Sequence, residues 1–229
     1  MELVKAVQED NLLLAANIIK EANQESKDIA LLESCIKGNL GIVKLLVEND
    51  INNLDITAFY GAICNGHFEI VKYLIEKCIN MINLNESNNF KITPLYLASY
   101  CGYLEIVKLL IEKGAYFQKA NDNKTPLYVA CENGHLDIVK YLITQNETTT
   151  SKKELFRLSC LKENKEMVQF FLILDPMLAI EIQTGKIDQE SIAEFFNKNY
   201  STFCYRPRHN MFKALKSKKF TNCFIKIHK

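Results

Sequence analysis

A ten-residue segment recurs along this 229-residue chain, and its spacing constrains the fold more than any other feature of the sequence. Four copies begin with glycine and continue into an aliphatic run that contains Ile-Val-Lys, and two weaker copies begin with Asp10 and Glu163. The copies begin at residues 10, 38, 66, 102, 134 and 163. Spacings of 28, 28, 36, 32 and 29 residues are typical of a repeat protein in which each unit contacts only its neighbours.

Each copy is predicted to be a helix that is preceded by a second helix. Ile106, Val107 and Leu110 follow helical spacing and form the apolar stripe of an amphipathic helix. The preceding helix begins nine residues before each copy and has one position that is always small and one that is always large and apolar. These positions allow close approach of the helices and fill the space between units. The small residues are Ala6, Ser34, Ala62, Ala98, Ala130 and Ser159, and the large residues are Leu3, Leu31, Phe59, Leu95, Leu127 and Phe156.

Glycine and Thr-Pro pairs mark the ends of the predicted helices. Glycine between the two helices of a unit suits a left-handed helix cap. Thr93-Pro94 and Thr125-Pro126 place a threonine N-cap before a proline at the first helical position. The turn glycines are Gly38, Gly66, Gly102 and Gly134.

Two copies carry the fullest motif and read Thr93-Pro94-Leu95-Tyr96-Leu97-Ala98 and Thr125-Pro126-Leu127-Tyr128-Val129-Ala130, each followed by Gly-Tyr/His-Leu-Glu/Asp-Ile-Val-Lys. This pattern resembles the ankyrin repeat family over about residues 1–175, most strongly from Ile56 to Ile143. The resemblance implies an all-α solenoid of about six helix-turn-helix units with a C-terminal helical cap and a basic tail. The expected units are 1–27, 28–55, 56–90, 91–122, 123–150 and 151–175, and the cap and basic segment occupy 176–229.

The sequence departs from the family pattern in three ways. Tyr96 and Tyr128 occupy the position at which the family prefers histidine, so the usual histidine hydrogen bond to the next turn is in question. The two spacings of 28 residues predict shortened fingers between the first three units. The spacing of 36 residues predicts an insertion in the polar stretch from Asn83 to Asn89.

No recognised catalytic or nucleotide-binding motif occurs, so we expect neither catalytic residues nor a cofactor, and we predict that the protein is not an enzyme. His67 and His135 follow a turn glycine, which favours packing of the turn over catalysis. Cys35, Cys131 and Cys160 share one helix position and are predicted to pack as reduced thiols in the core. The chain shows neither a membrane span nor a signal peptide, so we expect a cytoplasmic protein.

Two cysteine–histidine pairs lie close together near the C-terminus. Cys204 and His209, with Cys223 and His228, supply the ligand set of a zinc site. Their spacing fits no recognised zinc module, so we predict no metal site and keep zinc as an alternative.

The C-terminal segment also carries a strong positive charge. From Phe195 to Lys229 there are nine basic residues and no acidic ones, whereas the other 194 residues hold 19 basic and 27 acidic residues. Such asymmetry suggests an interaction arm. The sequence leaves open whether the segment packs on the solenoid or binds an acidic protein, a nucleic acid or an anionic membrane. Its candidate contact residues are Arg206, Arg208, Lys213, Lys216, Lys218 and Lys219.

The resemblance implies that a protein partner binds at the fingertips and at exposed positions late in the first helix of each unit, on the concave face. The fingertip residues are Asn89, Phe90, Ile92, Asn121, Asp122 and Lys124. The helix positions are Cys64, Asn65, Tyr100, Cys101, Glu132, Asn133, Leu161 and Lys162. Among the exposed-register aromatics, Phe90, Tyr100, Tyr103 and Tyr116 are candidate anchors, with packing on the next unit as the alternative.

We therefore expect a monomeric, non-catalytic scaffold or adaptor. Asn, Lys and Ile, whose codons are AT-rich, supply 22, 25 and 24 residues, and this bias adds the hypothesis of an effector delivered into a host cell by an intracellular bacterium, protist or large virus. The alternative is an adaptor whose basic segment recruits other machinery, such as a ubiquitin ligase, or nucleic acid.

Overall fold

The structure is a computed structural model that describes residues 2–49, 55–78, 80–88, 91–117, 120, 124–145, 150–175, 177–178, 195 and 198. Within these residues every regular element is a helix, and twelve helices are formed. The helices are α1 (Glu2–Gln8), α2 (Leu12–Ile18), α3 (Gln24–Lys37), α4 (Leu40–Glu48), α5 (Ile56–Cys64), α6 (Phe68–Cys78), α7 (Pro94–Cys101), α8 (Leu104–Glu112), α9 (Pro126–Glu132), α10 (Leu136–Thr144), α11 (Lys152–Leu161) and α12 (Lys165–Leu174).

The helices pack as consecutive pairs in two compact units, Met1–Glu147 and Thr148–Lys229. In the first unit α1, α3, α5, α7 and α9 pack side by side as one layer, and α2, α4, α6, α8 and α10 pack as a second layer. The second unit contains the pair α11 and α12. The boundary between the two units therefore lies before the sixth pair, whereas the predicted boundary between array and cap at 175/176 stays a prediction.

The small and large positions of the first helices form the core, as predicted. All six small residues are fully buried, and the large residues are at most 2% exposed. Phe59 and Phe156 are the bulkiest of these side chains. Interiors are close-packed, so a larger residue at a small position would force neighbouring helices apart.

One turn geometry joins the helices in all six pairs. The residue at the turn position has a positive φ, between 72° and 89° for the four glycines and 53° for Asp10 and Glu163. The N–H of the following residue donates to the carbonyl oxygen of the small core residue five positions earlier, over 2.8 to 3.1 Å. This is the longer hydrogen bond of a Schellman cap, which ends the first helix and turns the chain back. The six donors are Asn11, Asn39, His67, Tyr103, His135 and Asn164.

An aromatic ring from the next pair covers three of the turn glycines. A Cβ atom built on Gly38 would lie 2.6 Å from Cε1 of His67, and one built on Gly66 would lie 2.3 Å from Cε1 of Tyr103. At Gly102 the His135 ring would lie 2.5 Å away. Glycine is therefore needed at these turns for two reasons: the backbone is left-handed, and the ring occupies the space that a Cβ atom would take.

The two histidine rings also form hydrogen bonds with the turn that they cover. His67 Nε2 lies 2.9 Å from the carbonyl oxygen of Ile36, and His135 Nε2 lies 2.9 Å from that of Tyr100. A carbonyl oxygen only accepts, so Nε2 carries the proton in both rings. The prediction that these histidines pack the turns is confirmed.

The helix starts agree with the predicted caps except at α3. Thr93 and Thr125 accept hydrogen bonds from the N–H groups two residues after the first-position prolines, as predicted. The predicted start of the third helix near residue 29 is wrong, because α3 begins at Gln24 after Asn23, whose side chain accepts from Ser26 N over 3.0 Å. Only Ile19 to Asn23 separates α2 from α3, so a full finger is absent there, as the short spacing predicts.

Substitution of two glycines by alanine separates backbone strain from ring packing. Gly102 and Gly114 have φ of 89° and 93°, but a Cβ on Gly114 meets nothing within 4 Å. We expect Gly114→Ala to lower the free energy of unfolding by about 1 kcal/mol, the cost of a left-handed alanine. Gly102→Ala should lower the free energy of unfolding by a further ~1–3 kcal/mol, because the His135 ring must also move. Urea unfolding followed by circular dichroism measures both, and equal losses would contradict the role assigned to the ring.

Candidate functional site

A row of side chains crosses the carboxyl ends of four neighbouring first helices. It consists of Ile36, Cys64, Tyr100 and Glu132, each two residues before a turn glycine, and we call it the helix-end row. Because α3, α5, α7 and α9 pack side by side, residues of equal register lie next to one another. Ile36 is 44% exposed and Tyr100 is 51% exposed, Cys64 is exposed and Glu132 is half-buried.

A glycine in α5 provides the space in which the first member of the row lies. A Cβ built on Gly61 would come within 3.0 Å of Cγ1 of Ile36, so the isoleucine side chain rests on the α5 backbone one turn before Cys64. Ile36 was not among the predicted contact residues. Its register, two residues before Gly38, is the signal that would have found it.

Two cysteines end neighbouring first helices, Cys64 on α5 and Cys101 on α7. Cys64 is exposed and Cys101 is half-buried. Burial raises the pKa of the Cys64 thiol, and it raises the pKa of Cys101 to about 11 with a smaller contribution from the neighbouring Cys64. Both thiols are therefore protonated at neutral pH.

The cysteines divide into core and surface residues. Core packing is confirmed for Cys35, Cys131 and Cys160, which are at most 2% exposed. Cys64, one register later on its helix, is exposed.

An ion pair lies at the α9 end of the row. Lys124 Nζ is 2.8 Å from Oε2 of Glu132 and 5.5 Å from the centre of the Tyr128 ring. The structure thus brings together two residues that the sequence places separately at a fingertip and a helix end. Their side chains are 31% and 22% exposed, so the pair is partly shielded from water and gives this end of the row a fixed polar edge.

The finger before α7 is tied to the helices at its base. Ile92 is half-buried and packs against a cluster of Tyr96, Ala120 and Val129. Its carbonyl oxygen accepts a hydrogen bond from the Tyr60 hydroxyl over 2.7 Å. The predicted contact residue Ile92 therefore anchors the finger, and its side chain is only partly available to a partner.

Tyr60 was not singled out from the sequence, although it shares the register of Tyr96 and Tyr128. Its hydroxyl also lies 3.1 Å from the carbonyl oxygen of Glu86. Burial, and then the charge of Glu86, raise the pKa of Tyr60 to about 12. The tyrosine thus makes a hydrogen bond to the next unit from the position at which the family resemblance calls for histidine.

The remaining described candidates differ in how far they reach solvent. Tyr103 is half-buried rather than exposed, because its ring covers Gly66, so the packing alternative describes it. Tyr116 is 63% exposed. Asn133 is exposed, and its Nδ2 donates to the Val129 carbonyl of its own helix over 2.8 Å. Four predicted fingertip residues lie outside the described residues: Asn89, Phe90, Asn121 and Asp122.

The basic segment is described at only two positions. Lys198 Nζ lies 2.6 Å from Oε1 of Glu163, the turn residue between α11 and α12. The six basic candidates from Arg206 to Lys219 lie outside the described residues, as do the four potential zinc ligands Cys204, His209, Cys223 and His228. In the part of the chain that is described, no group of three or more His, Cys, Asp or Glu side chains could hold a metal ion.

Removal of one hydroxyl group tests the attachment of the finger. Tyr60→Phe deletes the donor to the carbonyl oxygens of Ile92 and Glu86, and we expect it to lower the free energy of unfolding by about 1–2 kcal/mol. The control Tyr116→Phe changes an exposed tyrosine and should stay within about 0.5 kcal/mol of the parent. Urea unfolding of both variants makes the comparison, and a Tyr60→Phe protein as stable as the control would show that these bonds contribute nothing.

Comparison with known proteins agrees with this geometry. The family model described as ankyrin repeats (3 copies) matches residues 3–86 and 77–154, which together are more than half of the chain. A search of curated proteins finds no match. Among the described helices, none is both long and apolar enough to cross a membrane.

The matched residues contain the ten helices of the first unit apart from Glu2, and the α11–α12 pair lies almost wholly beyond them. The matched region includes both Thr-Pro caps, the four turn glycines and five of the six buried small residues on which the resemblance depends. The chain belongs to the ankyrin repeat family.

Proposed function

We propose that this chain is a non-catalytic scaffold or adaptor that binds a protein partner on the helix-end row and the fingers beside it. The observation that carries the proposal is the adjacency of exposed Ile36, Cys64 and Tyr100 on packed helices. Contiguous exposed apolar side chains mark interaction sites, and tyrosine is among the residues that dominate binding energy. Ankyrin repeats generally act as protein–protein interaction modules, which supports this choice.

The packing of the row suits it to this role. Ile36 and Tyr100 project from helices whose opposite sides are buried, and their backbone carbonyls are fixed by His67 and His135. A partner would therefore meet side chains on a backbone that is already ordered, so binding loses little conformational entropy. The Lys124–Glu132 pair supplies a polar edge next to the apolar part.

The proposed surface includes the fingertip residues predicted from the sequence. Asn89, Phe90, Asn121 and Asp122 come from the two fingers whose bases are held by Ile92 and Ala120 in one cluster. A partner that spans the row and the fingertips would contact residues from several units, which is how a repeat array reaches a useful area from small contributions.

A second function is favoured by the charge of the C-terminal segment. Nine basic residues without an acidic one would attract an acidic protein or a nucleic acid, and such a segment could recruit machinery separate from the partner on the row. The abundance of Asn, Lys and Ile fits an AT-rich genome such as that of an intracellular bacterium, protist or large virus, and for a protein of such origin we include a host-directed role in the cytoplasm of another cell in the proposal.

The experiment compares full-length variants in affinity capture followed by binding measurements with each purified partner. Ile36→Ala/Tyr100→Ala removes the two large apolar members of the row, and we expect at least about tenfold weaker binding. The control Leu13→Ala removes an exposed apolar side chain of α2, in the other helix layer, and should bind as the parent does. Unfolding curves of both variants separate lost binding from lost folding.

The charged segment is tested in the same assay. In a third variant glutamine replaces all six basic candidates, Arg206, Arg208, Lys213, Lys216, Lys218 and Lys219. A partner that still binds Ile36→Ala/Tyr100→Ala but no longer binds the glutamine variant would overturn the proposed surface and support the second function.

A further inference from the structure

The two asparagine–glycine pairs of the chain, Asn65-Gly66 and Asn133-Gly134, lie at turns between paired helices. In such a pair the asparagine side chain loses ammonia readily, because glycine has no Cβ atom to hinder the approach of its nitrogen to the side-chain carbon. Both asparagines are exposed, so water reaches them. The binding of a protein partner gives this chemistry no role.

We propose that Asn65 and Asn133 are deamidation sites that the closed turn protects and the opened turn exposes, so that the opening of a repeat is recorded as a covalent change. The inference is independent of the proposed protein partner, because it depends only on the geometry of the two turns.

The reaction consumes one water molecule and releases one ammonia molecule. The backbone nitrogen of the glycine, after losing its proton to the solvent, attacks Cγ of the asparagine. The bond between Cγ and Nδ2 breaks, and Nδ2 leaves as ammonia after taking a proton from the solvent. The cyclic succinimide that remains is opened by water at either of its carbonyl groups, which leaves aspartate or isoaspartate. No electron is transferred, so no oxidant or reductant is needed.

The backbone of the closed turn points the attacking nitrogen away from the asparagine side chain. Closure of the succinimide ring needs the glycine nitrogen on the same side of the Cα–C bond as the asparagine Cβ atom. The ψ angle is 3° at Asn65 and 1° at Asn133, so in both turns the glycine nitrogen eclipses the backbone nitrogen of the asparagine instead. The reaction therefore requires rotation about this bond, which takes the glycine out of the helix cap.

Hydrogen bonds also hold both reacting groups in the closed turn. The N–H of Gly66 donates to the carbonyl oxygen of Ile63 over 3.0 Å, and Nδ2 of Asn65 donates to that of Gly61 over 2.9 Å. The attacking nitrogen thus keeps its proton, and the side chain is held back along its own helix. The second turn has the same two bonds, from Gly134 N to Cys131 over 3.2 Å and from Asn133 Nδ2 to Val129 over 2.8 Å.

The Tyr103 ring makes the first of these turns dependent on the next helix pair. A Cβ atom built on Gly66 would lie 2.3 Å from Cε1 of this ring, so the ring covers the glycine directly. The space into which the turn would open is therefore filled from the neighbouring repeat. Deamidation at Asn65 should then report the contact between the two pairs as well as the state of the turn itself.

The products do not fit the closed turn. Isoaspartate lengthens the main chain by one carbon atom, and either product places a carboxylate at the carboxyl end of a helix, where the helix dipole disfavours negative charge. The loss of Nδ2 also removes the donor to the helix carbonyl. At Asn133 the new charge follows Glu132 directly. A repeat that reacts while open therefore closes again less stably.

The test compares the full-length protein in buffer with the same protein unfolded in guanidinium chloride, at one mildly alkaline pH and one temperature. Trypsin releases residues 45–72 and 125–140, which contain Asn65 and Asn133, and fragment ions in mass spectrometry locate aspartate and isoaspartate. We expect both sites to react at least about tenfold more slowly in the folded protein, because the closed turn opens only rarely. Folded and unfolded rates that agree within about twofold overturn the proposal, as does an unfolded chain in which neither site reacts.

Tyr103→Ala tests the ring, and Asn133 in the same protein is the internal control. Without the ring, amide hydrogen exchange at Gly66 and deamidation at Asn65 should become faster by a similar factor. Asn133 should keep its rate, because contacts in a repeat array are local.

Circular dichroism shows whether Tyr103→Ala remains folded. A folded variant in which Asn65 reacts no faster, or reacts faster without faster exchange at Gly66, overturns the proposal. If the variant does not fold, the comparison of the folded with the unfolded parent still decides.

Discussion

The six-residue turn between paired helices is the constraint on which the rest of the structure depends. A residue with positive φ reverses the chain, and the next N–H closes onto the carbonyl oxygen of a small core residue. The small residue serves two purposes at once, because it accepts this bond and lets the neighbouring first helix approach. The turn therefore sets both the geometry within a helix pair and the spacing between pairs. The residues of the helix-end row are aligned because each lies two positions before such a turn.

The aromatic rings at the turns join each helix pair to the pair before it. His67, Tyr103 and His135 each occupy the space above the preceding glycine, and the two histidines also bond to a carbonyl oxygen there. A contact of this kind is local along the stack, as expected of an array stabilised by nearest-neighbour interfaces. The carbonyls that the histidines hold belong to Ile36 and Tyr100, so the contacts that align the units also fix the surface proposed to bind a partner.

Sequence periodicity predicts the structural features that recur in every unit and misses those that occur in only one unit. Helix pairs, the buried small and large positions, the Thr-Pro caps and the turn role of His67 follow from residue type at a fixed register. The early start of α3 depends on a single cap at Asn23, which no other unit shares. The ion pair Lys124–Glu132 joins a residue before α9 to the end of the same helix. Register tells which side of a helix a residue faces, but this contact also depends on the course of the loop before the helix.

The turns of the first and sixth pairs use Asp10 and Glu163 where the others use glycine, at a strain of about 1 kcal/mol each. A glycine would relax the backbone at Glu163 but would have no carboxylate to offer Lys198, which lies 2.6 Å away. Glu163 thus has two roles: it reverses the chain between α11 and α12, and its carboxylate binds a lysine 35 positions further along the chain. Glu163 therefore keeps a strained backbone and gains an ion pair with Lys198, which glycine could not form.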